Sequence, residues 1–356
     1  MGIKLHLSQA PVVRRADRRS LKRMTIKDVA KMAGVSLMTV SRVINSPDRV
    51  SSKKLDAVHL AIKKTGYIHN RLAGGLSGSR TGQVAVLVPS LSNLVFSDLL
   101  NGVASVLEPK QIQMMVGNYH YMQKKLEEQI PLFLEWSPDA MVIVGPVPRP
   151  LCPLLRKNGI PVVETVELVV PPFDCNVGIS HEAAGYAMAE YLTGLGYSRM
   201  GAISANAGLE KRTAQRISGF RRYLAENGFD VPVEVALEGR SSIAEGKKAM
   251  CMMLAAPHRP EAVFCANDDL AFGAMTACLE AGLHVPDDMG IAGFNALDIA
   301  LQCIPSITTV KVDRFGMGEL AAHMLLERLS GNKKPDGTSL DMGFSIVPGM
   351  STCKKY

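Results

Sequence analysis

A chain of 356 residues that is 47% hydrophobic can bury a large core and is long enough for more than one domain. Its net charge of +7 is uneven, because residues 1–80 hold 17 basic and 4 acidic residues and residues 81–356 hold 23 and 29, so a polyanion would bind near the N-terminus. Seven scattered cysteines without a CxxC pair argue against a disulfide framework and a zinc site and predict a reduced protein.

Residues 1–23 contain seven basic residues, a single acid and no usable periodicity. The pattern predicts a disordered basic arm, which would add attraction to phosphates without regard to sequence. The sequence leaves one alternative open, namely that translation starts at Met24, directly before the first predicted helix.

Residues 25–51 predict two short helices joined by a tight turn. Thr25 can cap the first helix, Gly34 permits the reversal that follows, and Ser36 can cap the second helix. The second helix has one apolar face, and its other face carries Leu37, Met38, Thr39, Ser41 and Arg42. A helix-turn-helix presents such a face to the major groove of DNA.

A third helix is predicted at about 52–65, with Gly66 as its C-cap. Three small helices around one core predict an independent headpiece over 24–69. In residues 70–82, Gly, Ser and Arg replace the apolar periodicity, which predicts a linker. On its own, the 25–51 hairpin could be purely structural; the third helix and the basic charge favour DNA binding.

From Gln83 onward, short runs that are apolar throughout alternate with stretches long enough for crossover helices. The runs are 84–88, 112–117, 140–145, 160–164, 200–204, 261–266 and 290–294, and helices are expected at 97–107, 182–195 and 270–281. This α/β alternation predicts parallel sheets with helices on both faces, and its two groups around residue 180 predict two doubly wound subdomains. Such sheets bind ligands beyond the carboxyl ends of their strands, so a cleft is expected between the subdomains.

The segments TIKDVAKMAGVSLMTVSRVIN and GYIHNRLAGGL resemble the headpiece and hinge of the LacI/GalR family of bacterial transcription regulators. The resemblance continues through PSLSNLVFSDLL, VFCANDDLAFGA and VPDDMGIAGFNALDIA. It implies a periplasmic-binding-protein-like core at 83–356, with subdomains at 83–181 plus 311–338 and at 182–310 plus 339–356. It also implies a homodimer on palindromic operator DNA, because one headpiece reads only a half-site.

The resemblance further implies which residues contact double-stranded operator DNA. Arg42 can address guanine, whereas Leu37 and Met38 can contact only thymine methyls or groove walls. Leu76 in the hinge would wedge into the minor groove, and the two glycines before it predict a hinge that orders less readily. The complete DNA-binding set is Thr25, Ser36, Leu37, Met38, Thr39, Ser41, Arg42, Asn45, Arg49, Asn70 and Leu76.

The strand ends and the resemblance together predict an effector site at Ser90, Phe96, Tyr119, Glu164, Arg212, Arg216, Ser241, Asn267 and Asn295. Arg216 precedes a G-F pair as in sugar-binding relatives, and Arg212 lies one helical turn earlier. Asn295 stands where those relatives often have Asp, which removes a charge that would repel a carboxylate. With the likeness to the gluconate-utilisation repressor branch, this predicts gluconate, a ketogluconate or a related sugar acid as effector. Glu164 fits least well, because it would have to face hydroxyls and not the carboxylate.

Other classes of protein fit the sequence less well. A periplasmic solute-binding protein would share the core but have a secretory signal and no headpiece. No constellation of nucleophile, base and orienting residue occurs, so neither an enzyme nor a catalytic residue, cofactor or metal is expected. No run of 18 apolar residues occurs, so a membrane partner is not expected and the cytoplasm is the predicted location. A neutral sugar or a purine is the alternative effector.

Overall fold

The computed structural model describes residues 24–68, 80–205, 210–230, 233–331 and 337–353, and the chain divides after Leu76 into two compact units. The predicted basic arm at 1–23 and the hinge residues Asn70 and Leu76 lie outside the described residues. All seven cysteines are free thiols. Within the described ranges, no helix has the length and apolar character needed to cross a membrane.

The first unit is the predicted headpiece. It contains the helices α1 (Ile26–Ala33), α2 (Leu37–Asn45) and α3 (Ser52–Thr65). They pack around one small core in which Val40 and Val58 are fully buried. The Asp28 carboxylate accepts hydrogen bonds from the backbone N–H and the hydroxyl of Thr25 at the start of α1. Gly34 ends α1 at φ 63°, a left-handed conformation that suits glycine.

The second unit contains two six-stranded sheets. The first sheet joins β1 (Gln83–Val88), β2 (Gln113–Asn118), β3 (Ala140–Val144), β4 (Val162–Glu167), β5 (Cys175–Ile179) and β11 (Thr338–Asp341). The second joins β6 (Met200–Ala205), β7 (Val233–Leu237), β8 (Ala262–Cys265), β9 (Gly290–Phe294), β10 (Thr308–Lys311) and β12 (Ser345–Val347). Their orders are β11-β5-β4-β3-β1-β2 and β12-β10-β9-β8-β6-β7, and only the β10–β12 pair is antiparallel.

Helices accompany both sheets. Those of the first half are α4 (Leu94–Leu107), α5 (Gln123–Glu135), α6 (Cys152–Lys157) and α12 (Arg314–Leu329), and those of the second are α7 (His181–Gly194), α8 (Lys211–Glu226), α9 (Ile243–Leu254), α10 (Asp268–Glu280) and α11 (Asp298–Gln302). Both faces of β1 are buried, since Val84 and Val86 belong to one apolar cluster and Ala85 and Leu87 to another. This explains why the strand is apolar throughout. The predicted α/β architecture with two doubly wound halves is confirmed.

The structure corrects the sequence predictions in two respects. Five strands were missed, namely β5, β7, β10, β11 and β12. The edge strands β7, β11 and β12 are partly exposed, and the interior strands β5 (CNVGI) and β10 (TTVK) contain polar residues, so a search for apolar runs overlooked all five. Two boundaries also shift. β11 pairs with β5, so residues 339–341 belong to the first half. Thr81 and Gly82, expected in the linker, donate backbone hydrogen bonds to the Asp139 carboxylate at 2.8 Å each and are part of the core.

Candidate functional site

The exposed face of α2 carries the side chains predicted to meet base edges. Leu37 and Met38 are 43% and 64% exposed. Arg42 is exposed one turn later, and its Nη2 lies 3.4 Å from Sδ of Met38. The face therefore offers one guanidinium beside two apolar side chains. A guanidinium can donate two hydrogen bonds to guanine, and apolar groups can contact the thymine methyl.

Three hydroxyls of the predicted DNA-binding set, those of Thr25, Ser36 and Thr39, are engaged in hydrogen bonds at helix N-termini. The Ser36 hydroxyl accepts from the Thr39 backbone N–H at 3.2 Å and pairs with the Thr39 hydroxyl at 2.9 Å, while Thr25 bonds to Asp28. Of the remaining predicted DNA ligands, Arg49 is exposed and Ser41 is partly buried, and the side chain of Asn45 lies outside the described residues. Residues 24–68 hold eight basic and three acidic residues, so the headpiece is cationic, as phosphate contact requires.

A cavity of about 240 Å³ lies where the two halves of the second unit meet. In both sheets the strand order reverses beside the first strand, β1 or β6, and a doubly wound sheet binds ligands at that point. Seven of the nine predicted effector residues line the cavity: Ser90, Phe96, Arg212, Arg216, Ser241, Asn267 and Asn295. These seven residues come from five separate segments of the chain, which the fold brings together around one space.

Arg212, on α8, lines this cavity and has a guanidinium nitrogen without a hydrogen-bond partner among the described residues. Its side chain is only 7% exposed, and among the described residues its Nη1 has no hydrogen-bond partner. Nη2 lies 3.5 Å from Oε1 of Glu210, and the guanidinium carbon lies 5.6 Å from the ring centroid of Phe96 in the other half. Burial opposes the charged form, but Glu210 and then Tyr119 favour it, and the pKa of Arg212 is raised. Arg212 is therefore a buried cation with a donor free for an anion.

Two of the three guanidinium nitrogens of Arg216 donate hydrogen bonds within the protein. Its Nε donates to Nδ1 of His181 at 3.2 Å, and its Nη1 donates to the carbonyl oxygen of Ala266 at 2.6 Å. The guanidinium carbon lies 3.5 Å from the ring centroid of Phe294. Burial lowers the pKa of Arg216 to about 9, with Arg212 adding to the shift, so the group is still charged at pH 7. Nη2 is the guanidinium nitrogen of Arg216 that forms no hydrogen bond within the described part of the chain, and it is left for a ligand.

Two amide and two hydroxyl side chains also contribute to the polar lining of the cavity. Asn267 caps α10, and its Oδ1 accepts from the Leu270 N–H at 3.1 Å, which leaves its NH2 group for the cavity. Asn295 directly follows β9, and its side chain forms none of the hydrogen bonds described for the structure. The Ser241 hydroxyl is buried and has no partner among the described residues. The Ser90 hydroxyl, by contrast, accepts from two backbone N–H groups of its own loop.

Tyr119 and Glu164 do not line this cavity, which corrects the predicted set. Glu164 is 1% exposed, and its two carboxylate oxygens accept from the backbone N–H groups of Val147 at 2.6 Å and Phe173 at 2.7 Å. Tyr119 donates its hydroxyl to the Val144 carbonyl at 2.7 Å. Both line an adjoining cavity of about 680 Å³. Backbone N–H groups of the protein bind the Glu164 carboxylate outside the 240 Å³ cavity, so this residue no longer conflicts with an acidic ligand.

The predicted effector set leaves out three charged residues of the 240 Å³ cavity, Glu210, Arg240 and Asp269. Arg240 lies three residues beyond β7 and directly before Ser241, which the predicted set does include. Asp269 stands in the first turn of α10, where an acid is common for structural reasons, and burial raises its pKa. Glu210 lies between β6 and α8 and had no pattern to mark it. The cavity therefore contains three guanidinium groups and two carboxylates, with Tyr121 and Val166 among its other walls.

A helix-turn-helix unit on the same chain as a two-sheet core with a cavity of ligand size is the arrangement of a ligand-responsive DNA-binding regulator. Residues 25–70 match the family described as bacterial regulatory proteins, lacI family, and residues 189–352 match the periplasmic binding protein-like domain. The HTH-type transcriptional regulator GntR of Pseudomonas aeruginosa is 34% identical over 336 residues, which cover 94% of this chain and 97% of that protein.

Solved structures agree with these matches. A LacI-family transcriptional regulator from Silicibacter pomeroyi superposes with a TM-score of 0.86 at 33% identity, over 93% of this chain and 100% of that one. The lac repressor dimer bound to operator and the anti-inducer ONPF superposes with a TM-score of 0.80 at 25% identity, over 93% and 100% of the two chains. The chain belongs to the LacI family of bacterial regulatory proteins. Its headpiece and core are those of a DNA-binding transcriptional repressor, and the relatives it matches are regulators of transcription.

Proposed function

We propose that the protein is a homodimeric repressor whose operator binding is controlled by a sugar acid such as gluconate or a ketogluconate. One observation carries the proposal: the buried Arg212 guanidinium has an unpaired Nη1 and lines the 240 Å³ cavity. A buried donor without a partner is costly, and a carboxylate would satisfy it with a charge-assisted hydrogen bond. The ligand that best fits this site therefore carries a carboxylate.

The remaining lining supports a small polyhydroxylated acid. Three guanidinium groups against two carboxylates favour an anion, while Glu210 and Asp269 can accept hydrogen bonds from hydroxyls. Ser241 and the free amide group of Asn267 can serve either end of such a ligand. The cavity is smaller than the 300 Å³ or so at which sites for drug-sized ligands begin, which suits a single monosaccharide acid.

The relatives support the same choice. The GntR regulator of Pseudomonas aeruginosa is similar over nearly the whole chain, in line with the resemblance of the sequence to the gluconate-utilisation repressor branch. The lac repressor relative forms a dimer on its operator, which supports a homodimer here. A dimer places two headpieces on a palindromic site, and this matches protein symmetry to operator symmetry.

Control of operator binding requires that the effector bind two arrangements of the protein with different affinity. The cavity suits this kind of control, because its walls come from both halves of the core. Phe96 belongs to the first half and Arg212 to the second, and the two side chains face each other. A ligand that contacts both walls therefore favours one relative position of the halves.

Calorimetry of the full chain with gluconate, 2-ketogluconate, 5-ketogluconate, glucose and ribose tests the proposal. We expect binding of acids only, and a loss of about tenfold or more for the acid in Arg212→Gln, which removes the charge and keeps an amide donor. Arg212 is a cleaner choice than Arg216, whose removal would also break contacts to His181 and Ala266.

Arg42→Ala is the control in the headpiece. It should leave effector binding intact and reduce discrimination among operators by about 1–3 kcal/mol, measured by fluorescence anisotropy with base-substituted sites. Binding of glucose or ribose alone would contradict a sugar-acid effector and leave the family assignment in place.

A further inference from the structure

Arg314, the first residue of α12, bridges the two halves of the core directly beside the effector cavity. Its Nη1 donates to the carbonyl oxygen of Asn295 at 2.5 Å. Its Nε and Nη2 both donate to Oδ2 of Asp98, at 3.1 and 2.8 Å. Asp98 lies on α4 in the first half, and Asn295 follows β9 in the second. The Arg314 side chain is 12% exposed and that of Asp98 is 48% exposed, so water reaches the bridge only from the Asp98 side.

The side chain and the backbone of Asn295 face different surroundings, and this connects the bridge to the ligand. Its side chain lines the cavity, while its backbone N–H donates to Val310 and its carbonyl oxygen accepts from Arg314. Its φ of 123° is a conformation that residues with a side chain rarely adopt. Such a conformation persists only where the surroundings hold it. A ligand at the amide and Arg314 at the carbonyl therefore act on the same strained residue.

The other end of the bridge is on the helix that also supplies a cavity wall. Phe96 and Asp98 are two residues apart in the first turns of α4, and Phe96 lies beneath the Arg212 guanidinium. The second half is thus linked to α4 at two points: Arg212 contacts Phe96 directly inside the cavity, and Asn295 is linked to Asp98 through Arg314, which stands on α12 of the first half. In sequence, α4 follows β1, the first strand after the headpiece and hinge. α4 therefore belongs to the half of the core that directly follows the headpiece and hinge along the chain, and a movement of α4 is a movement within that half.

We propose that Arg314 is a positioning residue that couples the effector site to α4. It holds Asn295 in its left-handed conformation toward the ligand and passes a movement of that loop to Asp98. The inference rests on the proposed function only for the identity of the ligand. Coupling between two sites in allosteric proteins is typically about 5- to 150-fold in affinity, so loss of the bridge is measurable.

Asp98→Ala tests the coupling without touching the cavity, because Asp98 is half exposed and alanine favours the helix. The full chain is titrated with gluconate by calorimetry, and its operator affinity is measured by anisotropy with and without saturating gluconate. We expect effector affinity within about threefold of the wild type, and a fall of about fivefold or more in the ratio of operator affinities. An unchanged ratio would overturn the proposal.

Glu234→Ala is the matched control. It removes the partner of Arg221, a two-point arginine–carboxylate contact of 2.9 and 2.6 Å that lies within the second half. This variant should keep both the effector affinity and the operator ratio of the wild type. If the ratio of operator affinities falls as much in Glu234→Ala as in Asp98→Ala, then breaking any ion pair has this effect. That result also overturns the proposal.

Hydrogen–deuterium exchange of the ligand-free chain tests the positioning role of Arg314 independently of the effector. Arg314→Gln should increase uptake in residues 295–302 and 94–100, whereas Arg221→Gln should not. If the wild type ignores every sugar acid, the proposed effector is wrong and this measurement still decides the role of Arg314. Unchanged uptake in both segments, with a normal response to gluconate, would reject the bridge and leave the proposed function standing.

Discussion

Asp268 holds the ligand-facing loop from inside the second half. It is fully buried, and its Oδ2 accepts from the Leu297 N–H at 2.7 Å while its Oδ1 accepts from the Thr309 hydroxyl at 2.6 Å. Burial raises the pKa of Asp268 from 3.8 to about 6, although both hydrogen bonds oppose the shift. The Asp268 carboxyl group therefore has a pKa of about 6, close to neutral pH.

The raised pKa of Asp268 predicts how stability depends on pH. Because the folded state binds this proton more tightly than the unfolded state, the contribution of Asp268 to the free energy of unfolding increases as the pH falls through about 6. Between about pH 7 and pH 5 the wild type should gain about 1 kcal/mol relative to Asp268→Asn. Thermal unfolding of both proteins across this interval measures the difference, and parallel curves would contradict the raised pKa.

At the scale of elements, the packing of α7 on α8 positions the two buried arginines. A Cβ added to Gly185 of α7 would lie 1.9 Å from the carbonyl oxygen of Arg216, and one added to Gly219 of α8 would lie 1.9 Å from that of Glu182. The two helices are therefore in backbone contact, closer than any side chain permits. This approach is what brings His181 within hydrogen-bond distance of Arg216.

Gly185→Ala should push the helices apart. We expect a loss of about 1–3 kcal/mol in the free energy of unfolding, with weaker effector binding because Arg212 and Arg216 move with α8. Gly194→Ala, at the end of the same helix, meets no atom within 4 Å and should be neutral or stabilise by up to about 1 kcal/mol. Urea unfolding and calorimetry compare the pair; equal stability of the two variants would show that the contact is not tight.

At the scale of the whole molecule, charge and function are separated along the chain. Residues 1–80 carry the basic excess and residues 81–356 the acidic excess. Attraction to phosphate therefore belongs to the headpiece, while the acidic remainder has no such attraction. A homodimer doubles the number of headpieces on one operator, and the affinity for DNA then depends on both half-sites being present.

Comparing a full palindromic operator with a single half-site should show how far DNA affinity depends on both half-sites. With a palindromic operator selected from random DNA, we expect a half-site to bind about 100-fold more weakly or worse, and the slope of log affinity against log salt to fall to roughly half. Fluorescence anisotropy measures both quantities, and sedimentation equilibrium measures the oligomeric state. A palindrome with one half scrambled controls for DNA length. Equal affinity for half and full sites would rule out a dimer as the binding species.

Local sequence patterns were enough to predict the headpiece and the main strands. The caps and turn of α1 and α2 are set by residues within four positions of each other, and strands covered on both faces are apolar throughout. Strand ends together with the family resemblance placed seven predicted effector residues at the 240 Å³ cavity, because parallel strands place their following loops at one edge. Edge strands such as β7 were missed, since their residues alternate between half-buried and exposed positions and form no continuous buried run.

The sequence by itself therefore determined the family and the α/β architecture, and it predicts the face that reads DNA and the approximate place of the ligand. Only the tertiary structure decided what each charged group does. It shows that backbone N–H groups use the Glu164 carboxylate, that Arg216 is held by the fold while Arg212 keeps a free donor, and that Arg314 reaches Asp98 216 residues away in sequence. The physical reason is that a buried polar group is defined by its hydrogen-bond partners, and distant segments supply those partners only after the sheets have packed.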